Sequence, residues 1–439
     1  MIFSRDEKLK ELISKENNHL IKVVTGIRRC GKSYLLNHIF KDYLLDKGIA
    51  ENHIVEFAFD FADDIDMLDR YYPEEETRIH VRGTKNEYLI NSKKFRAFIR
   101  EKTREDGRYY LLLDEVQKMD NFAETLNGFL RNDKLEVYVT GSNSKFLSSD
   151  IATEFRGRGD IINLYPLTFK EVYDATKEDK YDLLENYLRY GGLPLCILSK
   201  GDQNKENYLT ETYQTIYERD ILERNRIHNP LEFRQLVEVV SSAIGSLTNP
   251  KKISDTFKSK ENNSISTNTI QNYLKYLEEA FIIKTAKRYN IKGRKYIGSP
   301  CKYYFSDLGI RNAVIEFRQF EKTHLMENLI YNELLYRGYK VDIGIVEKFT
   351  LNQTGTYSKK NYEVDFTANR GSQRIYIQSV YSIEGDAKRI QEEKSLKEID
   401  DSFKKVIIIY GSIKPYYNTN GFLVMGLLDF LLEEKNLQL

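Results

Sequence analysis

A chain of 439 residues with 67 Lys and Arg against 66 Asp and Glu carries a net charge of only +1, which excludes a general polyelectrolyte binder and confines any nucleic-acid surface to a local patch. Its length predicts roughly three domains, and three widely spaced cysteines (Cys30, Cys196, Cys301) argue against a disulfide framework and for a reducing compartment. The charged start (Arg5, Asp6, Glu7, Lys8, Lys10) lacks a signal-peptide pattern, and the longest apolar stretch, Phe422 to Leu432, falls short of the ~20 residues of a membrane span. The expectation is a cytoplasmic protein without a membrane contact.

In chain order, the first informative segment is an apolar run (Leu20, Ile21, Val23, Val24) followed by Gly26-Ile27-Arg28-Arg29-Cys30-Gly31-Lys32-Ser33 and a helical pattern beginning at Tyr34. This fills G-x-x-x-x-G-K-[ST] in the strand–loop–helix context that the chemistry requires: the glycines let backbone N–H groups curl around an anion while the helix points its positive end at it. Gly26 through Tyr34 are therefore the expected ATP-binding residues, with Lys32 reaching the β- and γ-phosphates and Ser33 on Mg²⁺. Cys30, beside a helix N-terminus and two arginines, is expected to alkylate quickly unless ATP covers it. Val55 to Phe59 reads as the next strand. The segment from about Asp63 to Arg108 is long and charged, and reads as an insertion carrying a subunit or partner contact.

Tyr109 to Leu113 is a continuous apolar run of the buried parallel-strand type, ending in Asp114-Glu115. Asp114 is expected to hold Mg²⁺ through water and Glu115 to polarise the attacking water. A third strand, Leu135 to Thr140, leads into Gly141-Ser142-Asn143-Ser144, which makes Ser142 and Asn143 candidates to touch the γ-phosphate or the water. Arg156 and Arg158 follow as candidates to stabilise transition-state charge, in cis or from a neighbouring subunit of a homo-oligomer. With Lys32, Glu115 and Asn143, Arg158 completes the expected catalytic set.

GIRRCGKS, LLLDEVQ, TGSNSKFLSSDIATEFRGR, YPLTF, YGGLP (Tyr190 to Pro194) and ERDIL (Glu218 to Leu222) together resemble a prokaryotic family of AAA+-like P-loop ATPases related to archaeal-type and STAND proteins. The resemblance covers nearly the whole chain. It implies an ATPase fold followed by a C-terminal domain of unknown function similar to a restriction-endonuclease core. It supplies no substrate.

Pro166 breaks the alternation of strands and helices, and the residues to about Ile227 read as helices at the position of an AAA+ lid, with Lys180 to Leu188 ending at Gly191-Gly192. From Asn229 to Arg311 the pattern is that of a winged helix: a helix over Leu231 to Ile244, a short one near Ile253 to Lys258, and a third capped at Ser266-Thr267. The third places Ile270, Leu274 and Leu277 on one face and Asn268, Gln271, Asn272 and Lys275 on the other. The following hairpin holds Lys284, Lys287, Arg288, Lys292, Arg294, Lys295 and Lys302 with no acid between Glu279 and Asp307, interleaved with tyrosines. DNA is the expected partner of this basic stretch, residues 284–302.

The remaining order of elements, helix, three strands, helix, strand, is similar to the PD-(D/E)xK nuclease core. Glu327 or Glu333 would be the helix acid and Asp365 the strand aspartate, but Gln378-Ser379-Val380 stands where an acid and a lysine should be. The expectation is an inactive domain, unless a lysine such as Lys388 arrives from elsewhere. The fold class read from all of this is α/β: a P-loop NTPase parallel sheet (1–165), a helical lid (166–228), a winged helix (229–311) and a PD-(D/E)xK-like α/β domain (312–439). The activity expected is Mg²⁺-dependent ATP hydrolysis that drives or gates a DNA- or partner-bound conformation. A slow STAND-like nucleotide switch is the alternative, and a nuclease the third reading.

Overall fold

A computed structural model describes residues 3–81, 88–141, 155, 157–260, 265–351, 357–381 and 393–437. The chain separates into two compact units, residues 2–165 and 166–439. Among the described residues no helix is long and apolar enough to cross a membrane.

The first unit is built on five parallel strands: β1 (Ile21–Thr25), β2 (Ile54–Ala58), β5 (Tyr109–Asp114), β6 (Leu135–Gly141) and β7 (Gly159–Asn163), in the spatial order β2-β5-β6-β1-β7. A small antiparallel pair, β3 (Arg78–His80) and β4 (Tyr88–Ile90), lies apart from it. Every residue of β1, β5 and β6 is buried, the result expected when crossover helices cover both faces of a parallel sheet. Connections leave β1 for β2 on one side and return from β6 to β7 on the other. The carboxyl end of β1 is thus the point where strand order reverses, the usual place for a ligand crevice in an open α/β sheet.

The long segment after β2 is not a peripheral insertion. Its helix Ser92–Lys102, capped by the Asn91 side chain, sends Phe95, Phe98 and Ile99 into the core against Phe57 and Phe59. Each such burial contributes about 1.5–3 kcal/mol, so the helix is an integral crossover between β2 and β5. Apart from the buried Lys94, most of its charges face solvent, which is why the segment looked foreign in the sequence.

In the second unit the helices Phe169–Thr176, Lys180–Tyr190, Pro194–Leu198 and Asp202–Thr215 precede Pro230–Ser242, Pro250–Lys260 and Thr267–Glu279. The last is capped by Ser266, buries Ile270, Tyr273, Leu274 and Leu277, and leaves Asn268, Gln271, Asn272 and Lys275 exposed. The hairpin that follows, β8 (Ile283–Asn290) and β9 (Lys295–Phe305), does not stand free as a wing. β8 pairs in parallel with β10 (Lys340–Leu351), and the hairpin closes one edge of an eight-stranded sheet. β11 (Tyr357–Arg370), β12 (Gln373–Val380), β13 (Lys404–Ile409), β15 (Leu423–Gly426) and β14 (Tyr416–Tyr417) continue that sheet in this spatial order. A boundary between residues 311 and 312 would cut the helix Leu308–Val314, whose residues are all buried.

That helix shows what the YGGLP residues do. Asp307 caps it through Ile310 N (3.0 Å) and also accepts from Gly192 N (2.8 Å), while Asn312 Nδ2 donates to Leu188 O (3.0 Å) and Arg189 O (2.8 Å). Gly191 has φ +70°, and a Cβ there would lie 2.3 Å from Asp307 Oδ1. Only glycine fits so close a turn. Burial pushes the Asp307 carboxyl up to about 6 despite its three backbone N–H bonds.

Candidate nucleotide-hydrolysis site

The loop from Gly26 to Gly31 leaves the end of β1, with left-handed backbone at Arg29 (φ 66°) and Gly31 (φ 99°). A Cβ at Gly26 would meet Leu164 O at 2.1 Å, so glycine is obligatory where the loop crosses the chain after β7. The helix that follows runs Lys32–Tyr34, a π-helical stretch Leu35–Phe40, and Lys41–Asp46. Lys32 is buried and its Nζ donates to Gly26 O and Ile27 O at 3.1 Å each. Both partners are neutral, so its positive charge is held over the loop uncompensated by any described carboxylate. Ser33 and Tyr34 are exposed at the helix start, and Tyr34 lies against His38 with ring centroids 4.8 Å apart.

Asp114 and Glu115 stand at the same end of the sheet, at the tip of β5. Asp114 is buried and accepts from the Thr140 hydroxyl, while Glu115 N donates to Thr140 Oγ1 at 3.1 Å. Glu115 adopts a left-handed backbone (φ 53°), uncommon for a residue other than glycine. Its carboxylate accepts from Gln117 Nε2. Thr140 thus ties both acids to the adjacent strand β6, a role missed by reading only the polar residues beyond the strand. Its signal was a threonine hydroxyl at the carboxyl end of the strand beside the acidic one.

A second feature invisible to motif reading is Arg5, buried with φ 52°, whose Nη2 donates to Cys30 O at 2.8 Å and so braces the loop from behind. Cys30 itself is fully buried, with Sγ 3.6 Å from Leu164 O. The expected fast alkylation does not fit this placement: the thiol fills space under the loop instead of facing the nucleotide side, and reactivity needs access.

The arginine assignments change as well. Arg158 O accepts from Ile21 N, which places Arg158 at the amino ends of β1 and β7. Five residues of strand, about 13 Å of rise, separate it from the loop at the other end of β1, so it does not serve that site within its own chain. Ser142, Asn143 and Arg156 lie outside the described residues.

The second carboxylate constellation is in the C-terminal sheet. Glu327, from the helix Lys322–Tyr336, accepts from Lys302 Nζ (2.9 Å) and the Tyr304 hydroxyl (2.5 Å), and Lys302 also reaches Glu363 (2.8 Å). Asp365 on β11 accepts from Ser379 N (2.8 Å) and Ser379 Oγ (2.6 Å). Burial and the nearby Glu327 charge push the Asp365 carboxyl up to about 7, against the opposing pull of Lys302. Burial pulls Lys302 down, yet Glu327, Asp365 and Glu363 outweigh it and hold the ammonium firmly protonated. Glu333 pairs elsewhere, with Arg337 Nε at 2.6 Å, so Glu327 is the helix acid that faces this cluster. A lysine does arrive from another element, but it is Lys302 of β9. Lys388 lies outside the described residues. Among the described residues no group of three or more His, Cys, Asp and Glu could hold a metal ion.

Lys302 is therefore subtracted from the basic stretch. Lys284 is largely withdrawn too, lying over the Phe281 ring at 5.1 Å, with burial lowering its pKa. Lys292 pairs with Asp400 at 3.1 Å.

Residues 18–173 match a family model described as an AAA domain, and residues 181–321 match one described as a domain of unknown function (DUF8612). An uncharacterized protein of Haemophilus influenzae is 29% identical over 438 residues, covering 98% of this chain and 99% of that protein. An uncharacterized protein of Methanocaldococcus jannaschii, MJ1544, is 28% identical over 439 residues, covering 96% and 86%. Among solved structures, the Walker-type ATPase PABY2304 of Pyrococcus abyssi overlays with a TM-score of 0.46 at 14% identity, covering 72% of this chain and 96% of that one. The parallel sheet, the loop at its switch point, the acidic tip of β5 and the AAA match agree in giving residues 18–173 a P-loop, AAA-like domain.

Proposed function

We propose that this chain binds ATP at the loop Gly26–Ser33 and hydrolyses it, using the nucleotide state to change its grip on DNA or a protein partner. The observation that carries the reading is Lys32: a buried ammonium bonded only to neutral loop carbonyls, at the same sheet end as two carboxylates that a single threonine ties to the next strand. Ser33 and Asp114 are suited in type and place to hold Mg²⁺ with the phosphate oxygens, and the ion would neutralise charge on the transferred phosphoryl group. Glu115 orients the attacking water and takes its proton. Lys32 and the loop N–H groups offset charge on the β- and γ-phosphates.

DNA contact is proposed through the exposed face of Asn268, Gln271, Asn272 and Lys275 and through the turn holding Lys292, Arg294 and Lys295. Assembly into a homo-oligomer would allow an arginine to be supplied in trans.

The test is turnover of the parent and two variants, with and without duplex and single-stranded DNA at two salt concentrations. Lys32→Ala should abolish ATP binding, and Glu115→Gln should bind ATP and fail to release phosphate. Parent-like hydrolysis by Glu115→Gln would remove Glu115 as the base. Parent turnover below roughly one per minute that DNA does not raise would favour the slow nucleotide switch.

A further inference from the structure

The first unit carries a groove of about 1080 Å³ between the helices Ser92–Lys102 and Phe122–Phe129. Arg96, Arg100, Arg131 and Arg158 line it, and Glu124 is the only carboxylate among the described residues of its lining. Four guanidinium groups against one acid is a strong local imbalance in a chain whose charges otherwise cancel. None of the four forms an ion pair with a described residue. Arg96 donates only to the hydroxyls of Ser92 (3.2 Å) and Thr125 (3.1 Å), while Arg100, Arg131 and Arg158 are exposed.

Arg96 and Arg100 are four residues apart on one helix, so they share a face and are separated by about 6 Å along its axis. Asn121, Asn127 and Asn132 add amides along the opposite wall. Arginine is the side chain suited to phosphate in this arrangement, through its planar, multiply donating guanidinium.

We infer that this groove binds a single strand of nucleic acid, with Arg100 and Arg131 on consecutive backbone phosphates and the amides on sugar and base edges. The inference rests on the proposed function only in taking nucleic acid as the partner. It moves the principal contact from the hairpin of the second unit to the ATPase unit. The groove also contains Gln117, whose amide donates to the Glu115 carboxylate, so a strand seated there lies one side chain from the proposed base.

The experiment is fluorescence anisotropy of a labelled oligothymidylate with the full chain at several salt concentrations. It compares the parent, Arg100→Gln/Arg131→Gln and Lys292→Gln/Arg294→Gln/Lys295→Gln, with ATP affinity as the folding control. The groove variant should lose roughly tenfold or more in affinity at low salt and about 1.4 units of salt slope, given ~0.7 per phosphate contact on a single strand. Arg100→Lys/Arg131→Lys should restore most of the binding, and the hairpin variant should lose clearly less affinity than the groove variant. Parent-like binding by the groove variant, or equal competition by polyglutamate, overturns the site. Binding lost only in the hairpin variant overturns it while leaving the proposed DNA partner intact. A parent that binds no oligonucleotide overturns it, and the parent's duplex arm and ATP turnover then decide the proposed function separately.

Discussion

Two of the buried lysines in this chain, Lys32 and Lys302, have opposite fates. Lys32 bonds only to the neutral carbonyls of Gly26 and Ile27, with Asp114 and Glu115 engaged by Thr140 and Gln117. Lys302 is clamped between Glu327 and Glu363, with Asp365 close by. The first ammonium keeps its charge available for an anionic ligand. The second has spent its charge on the fold, tying the hairpin β8–β9 to the helix Lys322–Tyr336 and to β11. Residue type does not separate the two sites; what each group already touches does.

The largest effect that would sharpen this contrast is expected at Lys302. Lys302→Met leaves the buried Glu327 without a counter-charge, and breaking such a pair costs about 3–5 kcal/mol. Urea unfolding of the parent and variant measures it. A loss below ~1 kcal/mol would show that the cluster is not a structural ion pair. The corresponding removal at Lys32, by contrast, should cost nucleotide binding and little stability, because no buried carboxylate depends on it.

A smaller effect is expected at Thr140. Thr140→Val removes the hydroxyl that fixes Asp114 and supports Glu115 N, with little change in volume. Loss of an outer partner of this kind typically lowers activity about 10–100-fold. ATP affinity should hold within a few-fold while turnover falls. An unchanged rate would mean that the acids are oriented by something else.

The smallest expected effect concerns Asp365, whose carboxyl is pushed up to about 7 by burial and by Glu327. A carboxyl with a raised folded pKa favours the folded state fully below its unfolded value, near 4, and that contribution is lost as pH rises through about 7. Asp365→Asn, neutral throughout, should therefore gain on the parent across this window, by roughly 2 kcal/mol between pH 5 and pH 7.5. Unfolding midpoints of both proteins at the two pH values provide the check. A variant that instead loses ground as pH rises would show that the Asp365 charge is needed to hold Lys302.

Much of the nucleotide site was legible because phosphate binding by a strand–loop–helix is a local device. Glycine spacing, the lysine and serine that follow, and an apolar strand ending in two acids are contiguous patterns, and the chemistry follows from residue types a few positions apart. Sequence also identified four strands of the C-terminal sheet, β10 to β13, since alternation and apolar runs are short-range, and it missed the short strands Tyr416–Tyr417 and Leu423–Gly426. Arg158 could not be placed that way. It follows the acidic strands in the chain but sits at the opposite end of the parallel sheet, because a strand leaving for its neighbour must first cross back. Cys30 could not be read either, since its burial depends on Leu164, a residue 134 positions on.

The sequence by itself determined where a G-x-x-x-x-G-K-[ST] loop follows a strand and which strands end in acids, because those patterns are written in neighbouring residues. Only the tertiary structure decided which charges remain free. Lys302 lost its charge to helix and strand residues 25 and 61 positions later. Arg96, Arg100, Arg131 and Arg158, scattered over some sixty residues of sequence, came to face one groove. Electrostatic interaction depends on distance through space and on solvent exposure, and both are properties of the packed chain.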